Sequence, residues 1–228
     1  MGVSGMNFVE AARHVDGVAG RVQAQPSTPD RSEADIKTAL RRVWSGASFV
    51  TDGDPVHQYL VRRCGVESVP SSIRYHPALG YRHEDGSTTT HPAMLAQVVG
   101  SDGRALSIHR TYLADVPTRK KLMTPSDRLH NVAVMTRRPS DGWLGIAEGI
   151  ETALCAEKIF GHPVWSAISA GMLETFSPPA DVSMLVIYGD NDTSYTGQAS
   201  AYKLARRLTS ERRDLEVRVE IPVIEGMD

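Results

Sequence analysis

Short apolar runs alternate with helix-type segments through the C-terminal third of the chain. WLGIA (Trp143–Ala147) runs straight into IETALCAEKIFG, whose apolar positions recur at helical spacing. PVWSAI leads to a short helix in AGMLETF, and MLVIYG leads through a polar loop to GQASAYKLARRLTSERR. LEVRVEIPV follows as a last strand. Continuous apolar strands separated by helices predict a parallel sheet covered on both faces.

The preceding residues follow a different pattern. Ser32 is a candidate N-cap for a helix carrying Ile36, Leu40 and Val43. Asp54-Pro55 opens a second helix, VHQYLVRRC, which Gly65 closes. IRYH, AMLAQVV and ALSIHRTYL then read as strands, with SDGR (Ser101–Arg104) as a hairpin turn. KLM and NVAVM add short strands, and RRPSDG (Arg137–Gly142) marks a boundary. The expected fold class is α/β: a C-terminal parallel sheet flanked by helices, preceded by a smaller α+β domain with antiparallel strands. The expected divisions are a flexible arm over 1–32, an α+β domain over 33–140 and an α/β domain over 141–228.

Composition narrows the class. A chain of 228 residues with 41% hydrophobic content holds one large domain or two modest ones. No stretch nears the ~20 apolar residues of a membrane span, and the N-terminus has no signal-peptide pattern. Two cysteines, Cys64 and Cys155, supply neither a disulfide framework nor a zinc pattern, so a reduced, cytoplasmic setting is expected. Cys155 reads as buried and inert among Ala153, Leu154 and Ala156, and Trp143, Trp165 and Leu185 read as core. Net charge is −2, but Arg104, Arg110, Arg119, Lys120 and Lys121 cluster against one nearby acid, Asp115.

The candidate chemistry lies in three acids at strand ends. Glu148 follows WLGIA, while Asp190 and Asp192 follow MLVIYG. Parallel strands share one carboxyl rim, where ligands bind. Residues i and i+2 of an extended segment point the same way, so both aspartates can reach one ion while Asn191 faces elsewhere. Three carboxylates drawn together call for a cation, and Mg²⁺ or Mn²⁺ suits hard oxygen ligands. Glu151, in the first turn of the following helix, reads as a dipole partner.

IAEGIETALCA, VWSAISAGML and VIYGDND together resemble the Toprim domain of phage- and plasmid-type DNA primases, proteins often joined to a helicase. RYHPALGY, the hairpin ending in SIHRTYL, and KKLM extend the resemblance over roughly Trp44 to Asp228. The resemblance implies that Glu148 acts as acid/base or metal ligand, that Asp190 and Asp192 are metal ligands, and that Asp228 matches an aspartate in a G-x-D segment. It also implies a Mg²⁺-dependent nucleotidyltransferase that makes primers on a single-stranded DNA template from nucleoside triphosphates, beside a helicase domain or subunit. Many relatives carry an N-terminal zinc module, and this chain has no cysteine cluster for one. The end at EGMD, directly after a strand, reads as a fragment of a longer protein.

The basic strand supplies further candidates. Alternation puts Arg110 and Tyr112 on one face and His109 on the other. Arg110 suits bidentate phosphate binding, Tyr112 suits base stacking, and Lys120 and Lys121 suit a nucleic-acid backbone. His76 and His109 read as structural. Two other functions fit the same residues: a metal-dependent nuclease with water as attacking group, and a non-catalytic accessory factor that binds nucleic acid or protein.

Overall fold

The computed structural model describes residues 31–66 and 68–223. Most of the expected N-terminal arm, and Asp228, lie outside them. The first sheet has the order β1(Ser48–Phe49), β2(Ile73–Arg82), β3(Thr88–Gly100), β4(Ala105–Tyr112), β5(Lys120–Leu122), with β6(Val132–Ala133) paired to β3. Every pair in it is antiparallel. The second sheet is parallel, in the order β10(Glu216–Glu220), β9(Met184–Tyr188), β7(Trp143–Ala147), β8(Val164–Ser166).

Local chemistry explains most boundaries. Helix α1 spans Glu33–Ser45. Helix α2 (Pro55–Cys64) begins at Asp54, whose Oδ1 accepts the His57 amide at 2.9 Å, and ends at Gly65 with φ 63°. Gly103, at φ 77°, closes the β3–β4 hairpin. Strand β2 runs past the expected IRYH because a register shift between His76 and Leu79 absorbs Pro77, which has no amide to donate.

Each sheet is covered on both faces. Helix α1 packs Leu40 against Leu79, Tyr81, Leu95, Ile108 and Tyr112 on one face of the antiparallel sheet. On its other face, Val56 and Leu60 of α2 share a core with Met94, Ala96 and Val98 of β3 and with Ile150 and Leu154 of α3 (Ile150–Phe160). Helix α3 also covers one face of the parallel sheet through Ala153 and Ala156. Helices α4 (Ala170–Thr175) and α5 (Thr196–Glu211) cover the opposite face with Leu173, Ala201, Leu204 and Leu208. The core is therefore continuous across the turn at Ser140–Trp143, and Glu33 onward forms one compact unit. Trp165 and Leu185 are core as expected. Trp143 is not: it begins its strand 38% exposed, with its ring tilted on His162.

A shared core predicts shared unfolding. Leu154→Ala should cost about 2–5 kcal/mol and shift a single thermal transition downward in calorimetry. Two separated transitions would contradict this continuity.

Candidate active site

Strands β7 and β9 pair directly and in register, Ala147 opposite Tyr188. Glu148 is the first residue beyond β7, and Asp190 the second beyond β9. Neighbouring strands lie about 4.8 Å apart, so both acids leave the sheet at the same rim. Asp192 reaches it too, since its charge acts on the Glu148 carboxyl.

The turn after β8 supports Glu148. Its carbonyl accepts the Ile168 amide at 2.7 Å and the Ser166 hydroxyl at 2.8 Å. Ile168 has φ 74°, a costly conformation for a β-branched residue. This turn leads into α4, whose first amide, at Ala170, donates to the Glu148 carboxylate. Burial, then the charge of Asp192, raises the Glu148 carboxyl above its ordinary pKa, against the Ala170 amide and Lys120.

The D-x-D segment wraps the start of α5. Asp192 Oδ1 accepts the Thr196 amide at 3.0 Å, and Oδ2 accepts the Gly197 amide at 3.1 Å. These bonds, the Gly197 amide first, lower its pKa. Asn191 points away, donating to the Pro222 carbonyl at 2.8 Å. Gly197 permits the wrap, because a Cβ there would lie 2.7 Å from the Asp190 carbonyl oxygen.

The donor set is oxygen only, and its negative field already raises proton affinity at Glu148. The same field favours a hard divalent cation, so the residues fit one chemically. Among the described residues no three His, Cys, Asp or Glu side chains are gathered closely enough to hold a metal as they stand. Two amides hold the Asp192 carboxylate against the start of α5.

The basic candidates separate by face. Lys120 lies on the side of the antiparallel sheet toward Glu148, which feels its charge. Arg110 pairs with Lys121 across β4 and β5, on the face that α1 covers. Tyr112, expected to stack on bases, is 1% exposed and donates to the Gly80 carbonyl at 2.7 Å. It fills core and cannot meet a base. Arg110 spends its guanidinium on the Leu122 carbonyl and the Tyr112 hydroxyl. Lys121 lies over the Tyr81 ring at 3.6 Å and donates to the Arg82 carbonyl. Of the four, Lys120 alone faces the carboxylate rim.

Glu151 belongs to the site in a way its sequence position did not reveal. It is 4% exposed, receiving the Tyr59 hydroxyl at 2.8 Å and the Lys120 ammonium at 2.9 Å. Burial pushes its pKa up, but Lys120 and Tyr59 outweigh burial and hold it below the ordinary value. His109 lies behind this pair, 8% exposed, its Nδ1 without a hydrogen-bond partner among the described residues. Burial pushes its pKa down to about 4, so it is neutral at pH 7. A place in the first turn of α3, just after Glu148, was the signal the chain offered for Glu151.

Residues 143–228 match the family model described as Toprim domain. The C-terminal part of the chain is a Toprim domain. Residues 34–134 match a domain of unknown function (DUF7146). No curated protein matches the chain by sequence. Among solved structures, a DNA primase domain from Pseudomonas aeruginosa is similar at TM-score 0.54 and 13% identity, over 86% of this chain and 72% of that one. The zinc-binding and RNA polymerase domains of the Aquifex aeolicus primase are similar at TM-score 0.56 and 13% identity, over 98% of this chain; the chain spans 62% of that structure. The DnaG catalytic core is similar at TM-score 0.52 and 10% identity, over 86% and 72%. At these identities the likeness is one of fold. The Toprim domain with its antiparallel partner sheet therefore has a primase-like fold, and Glu148, Asp190 and Asp192 lie at the carboxyl rim of its sheet.

The Glu151 contacts carry a pH signature. A carboxyl with a lowered folded pKa adds stability that is present above its ordinary value of 4.5 and lost as pH falls through the folded pKa. Glu151→Gln should cost about 1–3 kcal/mol at pH 7, discounted because Lys120 is half exposed. The gap between variant and wild type in urea unfolding should narrow as pH drops below 4.5. A gap independent of pH would refute the ion pair.

Proposed function

We propose that the chain is the catalytic core of a divalent-metal-dependent DNA primase of the phage and plasmid kind, joining nucleotides on a single-stranded DNA template. The observation that carries this reading is that Glu148, Asp190 and Asp192 follow the ends of adjacent in-register strands, with Lys120 acting on Glu148 from the other sheet. The Toprim domain and the primase-like fold support it.

Glu148, Asp190 and Asp192 would hold one or two Mg²⁺ or Mn²⁺ ions. Bound there, such ions would supply positive charge to offset charge on the triphosphate and at the α-phosphate. Glu148, at the end of β7, would stand at the rim where a proton from an attacking 3′-hydroxyl could be taken up. Lys120, more than half exposed yet tethered to buried Glu151, presents a cation to incoming phosphates without leaving the rim. Tyr59 and Glu151 fix where that cation stands, so triphosphate binding would depend on both sheets.

The decisive assay supplies single-stranded DNA, labelled nucleoside triphosphates and Mg²⁺ or Mn²⁺. Products longer than a dinucleotide are expected, and Glu148→Gln should lower their rate by about 10²-fold or more, the scale of losing one positioned electrostatic group. Shortening of the template would identify a nuclease instead. Template binding without any product would leave an accessory binding factor.

A further inference from the structure

The chain's two cysteines lie 91 positions apart, at 64 and 155, yet meet across one helix seam. Cys64 is the last residue of α2, and Cys155 sits in the middle of α3. Each thiol reaches the backbone of the turn beside the other: Cys64 Sγ to the Glu151 carbonyl at 3.5 Å, Cys155 Sγ to the Arg63 carbonyl at 3.9 Å. Lys158 Nζ on α3 donates to the Gly65 carbonyl just beyond Cys64. Three contacts thus order the seam that carries both thiols, and both are partly exposed. Cys155 is therefore not the fully buried residue its apolar neighbours suggested.

We propose that Cys64 and Cys155 form a reversible disulfide that ties α2 to α3. With hydrogen peroxide as oxidant, the two thiols lose two protons and two electrons, one S–S bond forms, and the peroxide is reduced to two waters. The step runs through a sulfenic acid on one sulfur, which the other attacks with loss of water. Burial, the neighbouring thiol and the Glu151 charge push the Cys64 thiol up, which keeps its thiolate fraction low and slows its oxidation. The bond would fix the seam from which Tyr59 reaches Glu151 and Glu151 reaches Lys120. The inference stands on the thiol geometry and holds whether or not the chain synthesises primers.

The test treats the whole chain with hydrogen peroxide, denatures it, alkylates free thiols and weighs it. The expected result is a monomer about 2 Da lighter that takes no alkyl group until dithiothreitol is added. The thermal midpoint should rise by roughly 5 °C or more on oxidation, because the bond closes a long loop, and fall back on reduction. Cys64→Ser and Cys155→Ser should each abolish both changes, and each separately guards against a folding defect in the other. Two alkylatable thiols after oxidation, sulfinic acid without a disulfide, or a covalent dimer would each overturn the proposal.

Discussion

Repulsion between carboxylates is the constraint around which this molecule is arranged. In-register pairing of β7 and β9 brings Glu148 and Asp190 out at one rim of the sheet. Asp192 adds a third charge to the same edge. Every neighbouring feature answers that charge: the Ala170 amide at Glu148, the Thr196 and Gly197 amides at Asp192, and Lys120 from the other sheet. The strained backbone at Ile168 is part of the answer, since it turns the chain so that an amide meets Glu148.

The antiparallel sheet is more than a platform beside the Toprim domain. It sends Lys120 to the rim, and it shares with α3 a core of Val56, Leu60, Met94, Ile150 and Leu154. Glu151 is buried in that seam and held by one residue from α2 and one from β5. A buried carboxylate is costly without partners, so the contacts that satisfy Glu151 also fix Lys120 beside Glu148. Packing between the sheets and electrostatics at the rim are thus a single arrangement.

The strand ends were legible in the chain because they follow a local rule. Apolar runs of five residues locate β7 and β9, and parallel topology then puts Glu148, Asp190 and Asp192 on one edge. The faces of the antiparallel sheet were not legible. Alternation correctly grouped Arg110 with Tyr112, but both faces are covered, so it could not tell which one looks toward the acids. Tyr112 consequently proved to be core and Lys121 a partner of Tyr81. Tyr59 to Glu151, Lys120 to Glu151 and Cys64 to Cys155 join positions far apart in sequence, and no periodicity reports such contacts. Pro77 likewise hid the length of β2 until its register shift was visible.

The central claim is that Glu148 and the aspartate pair act on a common divalent ion. Electron paramagnetic resonance titration with Mn²⁺ tests it without requiring turnover. The account predicts saturable binding that weakens by about tenfold or more, roughly 1.4 kcal/mol, in Glu148→Gln and separately in Asp190→Asn. Mn²⁺ binding left intact by Glu148→Gln, or lost in only one of the two variants, would contradict it.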